Sequence, residues 1–201
     1  MRNAQEERYR VIAALLQYPD PEWLDMIAEV RAYCRRLPAG RTRETIGAFL
    51  DYLESRSLLR LQEIYTAVFD LNPATTLNMS WHLSEDGRKR AALLASLQQG
   101  YRCAGYEGPA DELPDFLPAV VEFLAVCRDG RVPASFQRCL AAVEGLAHRL
   151  RQAAPAYADL LDLLANDCRP RQGKGGPASR SHSAGCGECT HAGALKRREM
   201  P

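Results

Sequence analysis

No charge of either sign dominates this chain: 26 Lys+Arg face 25 Asp+Glu over 201 residues, a formal net charge of +1. The basic excess by which nucleic-acid binders announce themselves is therefore missing. Long apolar runs are missing too. Charged residues punctuate each hydrophobic stretch, and none approaches the ~20 residues that a spanning helix needs, which excludes membrane insertion. The start, Met1-Arg2-Asn3-Ala4-Gln5-Glu6-Glu7-Arg8, is polar and lacks the apolar core of an export signal, so a cytoplasmic protein is expected. Strand-like alternation is nearly absent. No Gly-rich loop follows a strand, and Gly-Lys-Gly-Gly at 173–176 has neither the spacing nor the context of a phosphate loop. There is no H-E-x-x-H and no nucleophile elbow.

Cysteine is not scarce, with seven residues, but the count is odd. Cys34, Cys103, Cys127 and Cys139 sit singly within apolar helical patterns. They are expected as reduced thiols packed as small hydrophobes.

What the chain does have is helical periodicity. A first helix is predicted over about Gln5 to Tyr18, stopped by Pro19-Asp20-Pro21, where Asp20 caps a second helix starting at Pro21. A third spans about Arg43 to Glu54, and Ser57 caps a fourth carrying Leu61, Ile64, Tyr65 and Val68. Phe69-Asp70-Leu71-Asn72-Pro73 breaks that run, and a short segment through Leu77 and Trp81 follows. A long helix begins near Asp86 and ends at Gly105, a natural C′ glycine. Further helices are predicted from about Asp115 to Arg128, from Ser135 to about Ala153, and from Pro155 to near Asp167. About nine helices with short connections make a single compact all-α bundle.

Composition changes abruptly after Cys168. Residues 169–201 are Gly, Ser, Pro and basic residues with almost no large apolar side chains, so the tail is expected to be disordered. The charge divides at the same place, −4 over residues 1–168 and +5 over residues 169–201. The tail also holds His182, Cys186, Cys189 and His191. A Cys-x-x-Cys knuckle suits tetrahedral zinc, although one pair is not two and the histidine spacings match no zinc module. Redox chemistry or polar filler are the other readings of these residues.

Within the body, His82 and Asp86 stand four apart, a spacing compatible with a pair, but no nucleophile accompanies them. The simpler reading has them fixing a loop and capping the next helix. Arg88-Lys89-Arg90 puts cations at a helix N-terminus, where the dipole disfavours them, and invites a partner such as Glu85 or Asp86. In Leu113-Pro114-Asp115-Phe116-Leu117-Pro118, Asp115 is expected to cap a helix whose first turn tolerates Pro118.

Several of these stretches resemble the nitrate reductase assembly chaperones, the NarJ type of the TorD/DmsD superfamily. The resemblance runs through Leu16-Gln17-Tyr18-Pro19-Asp20 and through Tyr65-Thr66-Ala67-Val68-Phe69-Asp70-Leu71-Asn72. It continues in Trp81-His82-Leu83-Ser84-Glu85-Asp86-Gly87-Arg88-Lys89-Arg90, where Glu85 stands in place of a small residue. It closes with Asp111-Glu112-Leu113-Pro114-Asp115-Phe116-Leu117-Pro118 followed by Glu122-Phe123. These motifs fall in order within about residues 8 to 165.

The resemblance implies an all-helical, TorD-like chaperone with no catalytic role. Its implied client is the apo catalytic (alpha) subunit of a respiratory membrane-bound nitrate reductase, bound notably at the N-terminal segment. The client, not the chaperone, would receive iron–sulfur clusters and the molybdenum cofactor before docking on its membrane anchor. Molybdenum cofactor biosynthesis proteins are further implied partners. Phe69, Asp70, His82, Asp86, Pro114, Asp115, Leu117 and Pro118 inherit signature status, and Arg88 joins them as a candidate client contact. A basic amphipathic client would lie in a groove between helices. We expect an apolar floor including Tyr65, Phe69 and Leu117, with Asp70, Asp86, Asp115 and Glu122 as an acidic rim. The alternatives are metal or cofactor delivery through the tail, hydrolysis at His82 and Asp86, or a structural adaptor.

Overall fold

The computed structural model describes residues 2–108, 111–127 and 132–168. The tail 169–201, with its four potential metal ligands and its expected disorder, lies outside the described residues. Nine α-helices occupy the described residues, with no named strand.

Helix α1 (Arg2–Leu15) ends three residues before its predicted stop. Its last carbonyls have no intrahelical partner and must find donors elsewhere. Trp23 Nε1 donates to Ala14 O in the last turn at 2.8 Å, and Tyr65 Oη donates to Leu16 O just past the helix end at 3.1 Å. Helix α2 (Pro21–Arg36) starts as predicted, with the Asp20 carboxylate accepting the Trp23 N–H at 2.6 Å. Helix α3 (Arg41–Glu54) follows, and Ser57 caps α4 (Leu58–Tyr65) through the Arg60 N–H.

The break after α4 has a specific form. Residues Thr66–Asp70 make a π turn, closed by the Leu71 N–H donating to Thr66 O at 3.0 Å. One extra residue per turn leaves Phe69 buried and its neighbour Asp70 exposed. A short 3-10 turn, Met79–His82, precedes α5 (Gly87–Cys103), which Asp86 caps by accepting the Arg88 and Lys89 N–H groups. Gly105 follows the end of α5 with φ +65°, the left-handed conformation that glycine adopts without penalty.

Helices α6 (Leu117–Val126), α7 (Ala134–Ala141), α8 (Val143–Ala153) and α9 (Pro155–Cys168) complete the chain. Two of these helices differ from expectation. The helix predicted from Ser135 to Ala153 is two helices, broken at Ala142, and Ser135 is a buried residue within α7 rather than its cap. The helix predicted from Asp115 starts at Leu117, with Phe116 at the cap position and no side-chain cap bond. Pro118 in its first turn forfeits no hydrogen bond, as expected.

Helix α1 packs on α6, while α9 packs on α8, α3, α7 and α1. The core between them holds a chain of edge-on aromatic rings. Tyr65 meets Phe69 at 4.9 Å, Phe69 meets Tyr157 at 4.9 Å, and Tyr157 meets Phe49 at 5.0 Å. A second group, Tyr101, Tyr106, Phe123 and Phe136, ties α5 to α6 and α7. No disulfide joins the described cysteines to one another. Cys34 and Cys139 are buried as expected, whereas Cys103 is exposed and Cys127 half-buried.

Candidate functional site

The residues between the helices position the site. An isolated antiparallel bridge pairs Asn78 with Phe116. It consists of the Leu117 N–H donating to Leu77 O at 2.9 Å and the Met79 N–H donating to Asp115 O at 3.1 Å. The loop after the π turn is thereby fastened to the segment that opens α6.

Between them lies a cleft of about 220 Å³. Gln17 and Tyr18 from the α1–α2 turn form one side, and Thr76, Leu77 and Asn78 form another. Tyr65 and Phe69 supply aromatic floor, with Phe116 beside them. Asp70 and Glu112 bring two carboxylates. Burial pushes the Glu112 carboxyl up, and the charges of Asp70 and Asp111 push in the same direction. Among the described residues no Lys or Arg forms a salt bridge with Asp70, Asp111 or Glu112. Asn78 Oδ1 is buried without a hydrogen-bond partner. Tyr18 in the lining is exposed, as are Leu71 and Leu113, the chain neighbours of Asp70 and Glu112, Leu71 to 76%. Such a surface accepts an apolar side chain and a cation together.

Tyr65, Phe69 and Asp70 line the cleft together, but three of the four acids expected at its rim lie elsewhere. Asp115 is 0% exposed. Its Oδ2 accepts the Ser80 N–H at 2.7 Å, so it neither borders the cleft nor caps α6. A buried carboxylate requires partners, and the 3-10 turn supplies one. Asp86 is exposed but committed to capping α5, and Glu122 is half-buried on α6 outside the cleft lining. Leu117 is fully buried outside the cleft lining, and its N–H donates to Leu77 O. Pro114 O accepts from Tyr101 Oη at 3.0 Å, and Pro118 is buried. Glu112 is the acid that sequence reasoning left out; its place in Asp111-Glu112-Leu113-Pro114 was the available signal.

His82 does not pair with Asp86. Its Nε2 lies 2.8 Å from Thr76 O and its Nδ1 2.9 Å from Arg149 Nη2. A carbonyl on one side and a guanidinium on the other select the neutral ring, with Nε2–H donating and Nδ1 accepting. Arg149 Nε also donates to Ala74 O at 2.7 Å, so α8 holds the cleft loop at two points. Burial lowers the His82 pKa and the Arg149 charge lowers it further, against the Thr76 bond and the Asp115 charge. In the basic cluster, Arg90 is not free: its guanidinium stacks 3.6 Å above the Trp81 ring and its Nε donates to Ser80 Oγ at 3.0 Å. Arg88 is exposed at the start of α5 and engages Asp86 through its backbone N–H.

Residues 37–162 match the family described as nitrate reductase delta subunit. The chain belongs to that family. The match includes every cleft residue from Tyr65 to Phe116, leaving only the Gln17–Tyr18 side outside it. Over 156 residues the chain is 30% identical to a Bacillus subtilis protein named "probable nitrate reductase molybdenum cofactor assembly chaperone NarJ", covering 78% of this chain and 85% of that one. It is also 30% identical to the Escherichia coli nitrate reductase molybdenum cofactor assembly chaperone NarJ, covering 77% of this chain and 66% of that one. A 28% identical stretch of 154 residues lies within the Mycobacterium tuberculosis nitrate reductase-like protein NarX, where it makes up 22% of the longer chain. In this family member, three of the four motif stretches border one cleft, and the fourth braces it through His82 on Thr76 O.

Proposed function

We propose that this protein is a dedicated assembly chaperone for the catalytic subunit of a respiratory membrane-bound nitrate reductase, working in the cytoplasm. It binds the unassembled subunit through that subunit's N-terminal segment and keeps it open to iron–sulfur and molybdenum cofactor insertion before membrane docking. It holds no resident cofactor and catalyses no reaction; proteins of molybdenum cofactor synthesis meet it while the client is bound. The observation that carries this reading is the convergence of separate motif stretches on one aromatic-floored cleft with two carboxylates lacking salt bridges to described residues. A basic amphipathic segment complements it, the apolar face against Tyr65, Phe69 and Phe116 and a cation at Asp70 and Glu112. No helix among the described residues is long and apolar enough to cross a membrane.

Pull-down of apo and mature catalytic subunit with the full chain tests the proposal. Capture of the apo form alone is expected, and equal capture of both would instead make the protein a structural subunit. Titration calorimetry with a peptide of the client's N-terminal segment then locates the site. Asp70→Asn and Glu112→Gln should each weaken binding, whereas Glu122→Gln should not.

A further inference from the structure

The molecule carries its own basic segment on the same chain as its acidic cleft. Residues 169–201 have a net charge of +5, and their only large aliphatic side chains are Leu195 and Met200. Leu195 is followed directly by Lys196-Arg197-Arg198. An apolar side chain beside three cations is the chemistry that the cleft lacks. Leu195 matches the aromatic floor of Tyr65, Phe69 and Phe116, and the cations match Asp70, Asp111 and Glu112.

Reach does not forbid the match. Helix α9 leaves the cleft region at Tyr157, whose ring packs on Phe69, and ends at Cys168. Those 11 residues carry the chain end about 16 Å away at the helical rise. The 27 residues from Cys168 to Leu195 can cover about 40 Å even at that same rise and about 90 Å when extended. A tethered ligand within reach acts at an effective concentration of up to about millimolar, so weak intrinsic affinity suffices for occupancy.

We propose that the segment around Leu195-Lys196-Arg197-Arg198 docks into the cleft of its own chain and competes there with the incoming client. The proposal rests on the cleft being the client site. An empty chaperone would thus cover its exposed Tyr18, Leu71 and Leu113 with its own tail, and only a segment that binds more tightly would displace it.

Two measurements on the full chain test this. A zero-length carbodiimide should join the Lys196 amine to the carboxylate of Asp70, Asp111 or Glu112 within monomers, as mapped by mass spectrometry. Glu112→Gln with Asp70→Asn should remove most of that product. In parallel, the triple variant K196E/R197E/R198E should bind the client's N-terminal peptide several-fold more tightly than the parent. A missing Lys196 cross-link, or one confined to dimers, overturns docking in cis. Equal peptide affinities overturn the competition while leaving the cleft as client site. Should the peptide bind neither protein, the client-site reading fails, and the cross-link alone decides whether the tail occupies the cleft.

Discussion

Asp115 and His82 show how far a residue's chemistry depends on where its side chain ends. Both fall in acid- and histidine-bearing motifs, which suggests a surface role, yet both brace the loops that build the cleft. Asp115 is buried with one oxygen on the Ser80 N–H and the other, Oδ1, without a partner. Asp115→Ala leaves that N–H orphaned and should cost about 1–3 kcal/mol in urea denaturation. Asp115→Asn keeps an acceptor and should cost less. His82 has a folded-state pKa below its ordinary 6.5, so its contribution to stability is complete above that value. The unfolded chain binds a proton first as pH falls, and stability is lost as pH drops through 6.5 towards the folded value. Protonation at Nδ1 would also face Arg149, which bridges His82 and Ala74. The fall in thermal midpoint between pH 7 and pH 5 should therefore be shallower in His82→Gln than in the parent.

At the scale of elements, starts are better specified than ends or internal breaks. Caps act through the next few residues, so Asp20, Ser57 and Asp86 are legible as letters in a row, and each caps the helix expected of it. Asp20→Ala should cost about 1 kcal/mol, read as a lower urea midpoint. The break between α7 and α8 at Ala142 has no such local mark, because alanine is a good helix former. Packing explains Gly100 in a similar way. A Cβ there would stand 2.6 Å from the Phe136 ring, so the close approach of α5 to α7 depends on its absence. Gly100→Ala gains about 1 kcal/mol of helix propensity but forces a shift that costs about 1–3 kcal/mol. A net loss of stability is expected, and Gly100→Ala with Phe136→Leu should recover part of it.

For the whole molecule, the distribution of charge bears on the proposed function. A net +1 conceals −4 over residues 1–168 and +5 over residues 169–201, and two carboxylates of the first part, Asp70 and Glu112, line the cleft. Client-peptide affinity should fall as salt rises, since exposed charges are screened beyond about 10 Å at 0.1 M. The Glu112→Gln variant should show a shallower salt dependence in the same titrations.

The sequence by itself determined the helical class, the caps at Asp20, Ser57 and Asp86, and the family, because periodicity, cap chemistry and motif composition act over a few residues at a time. It also marked Tyr65, Phe69 and Asp70 as a group. Only the tertiary structure decided which acids face the cleft. Asp115 and Glu112 lie three apart in one motif, yet the bridge between Asn78 and Phe116 turns the first into the core and leaves the second at the mouth. That choice depends on partners 35 or more residues away, Ser80 for Asp115 among them, and on the cost of burying a charge without a donor.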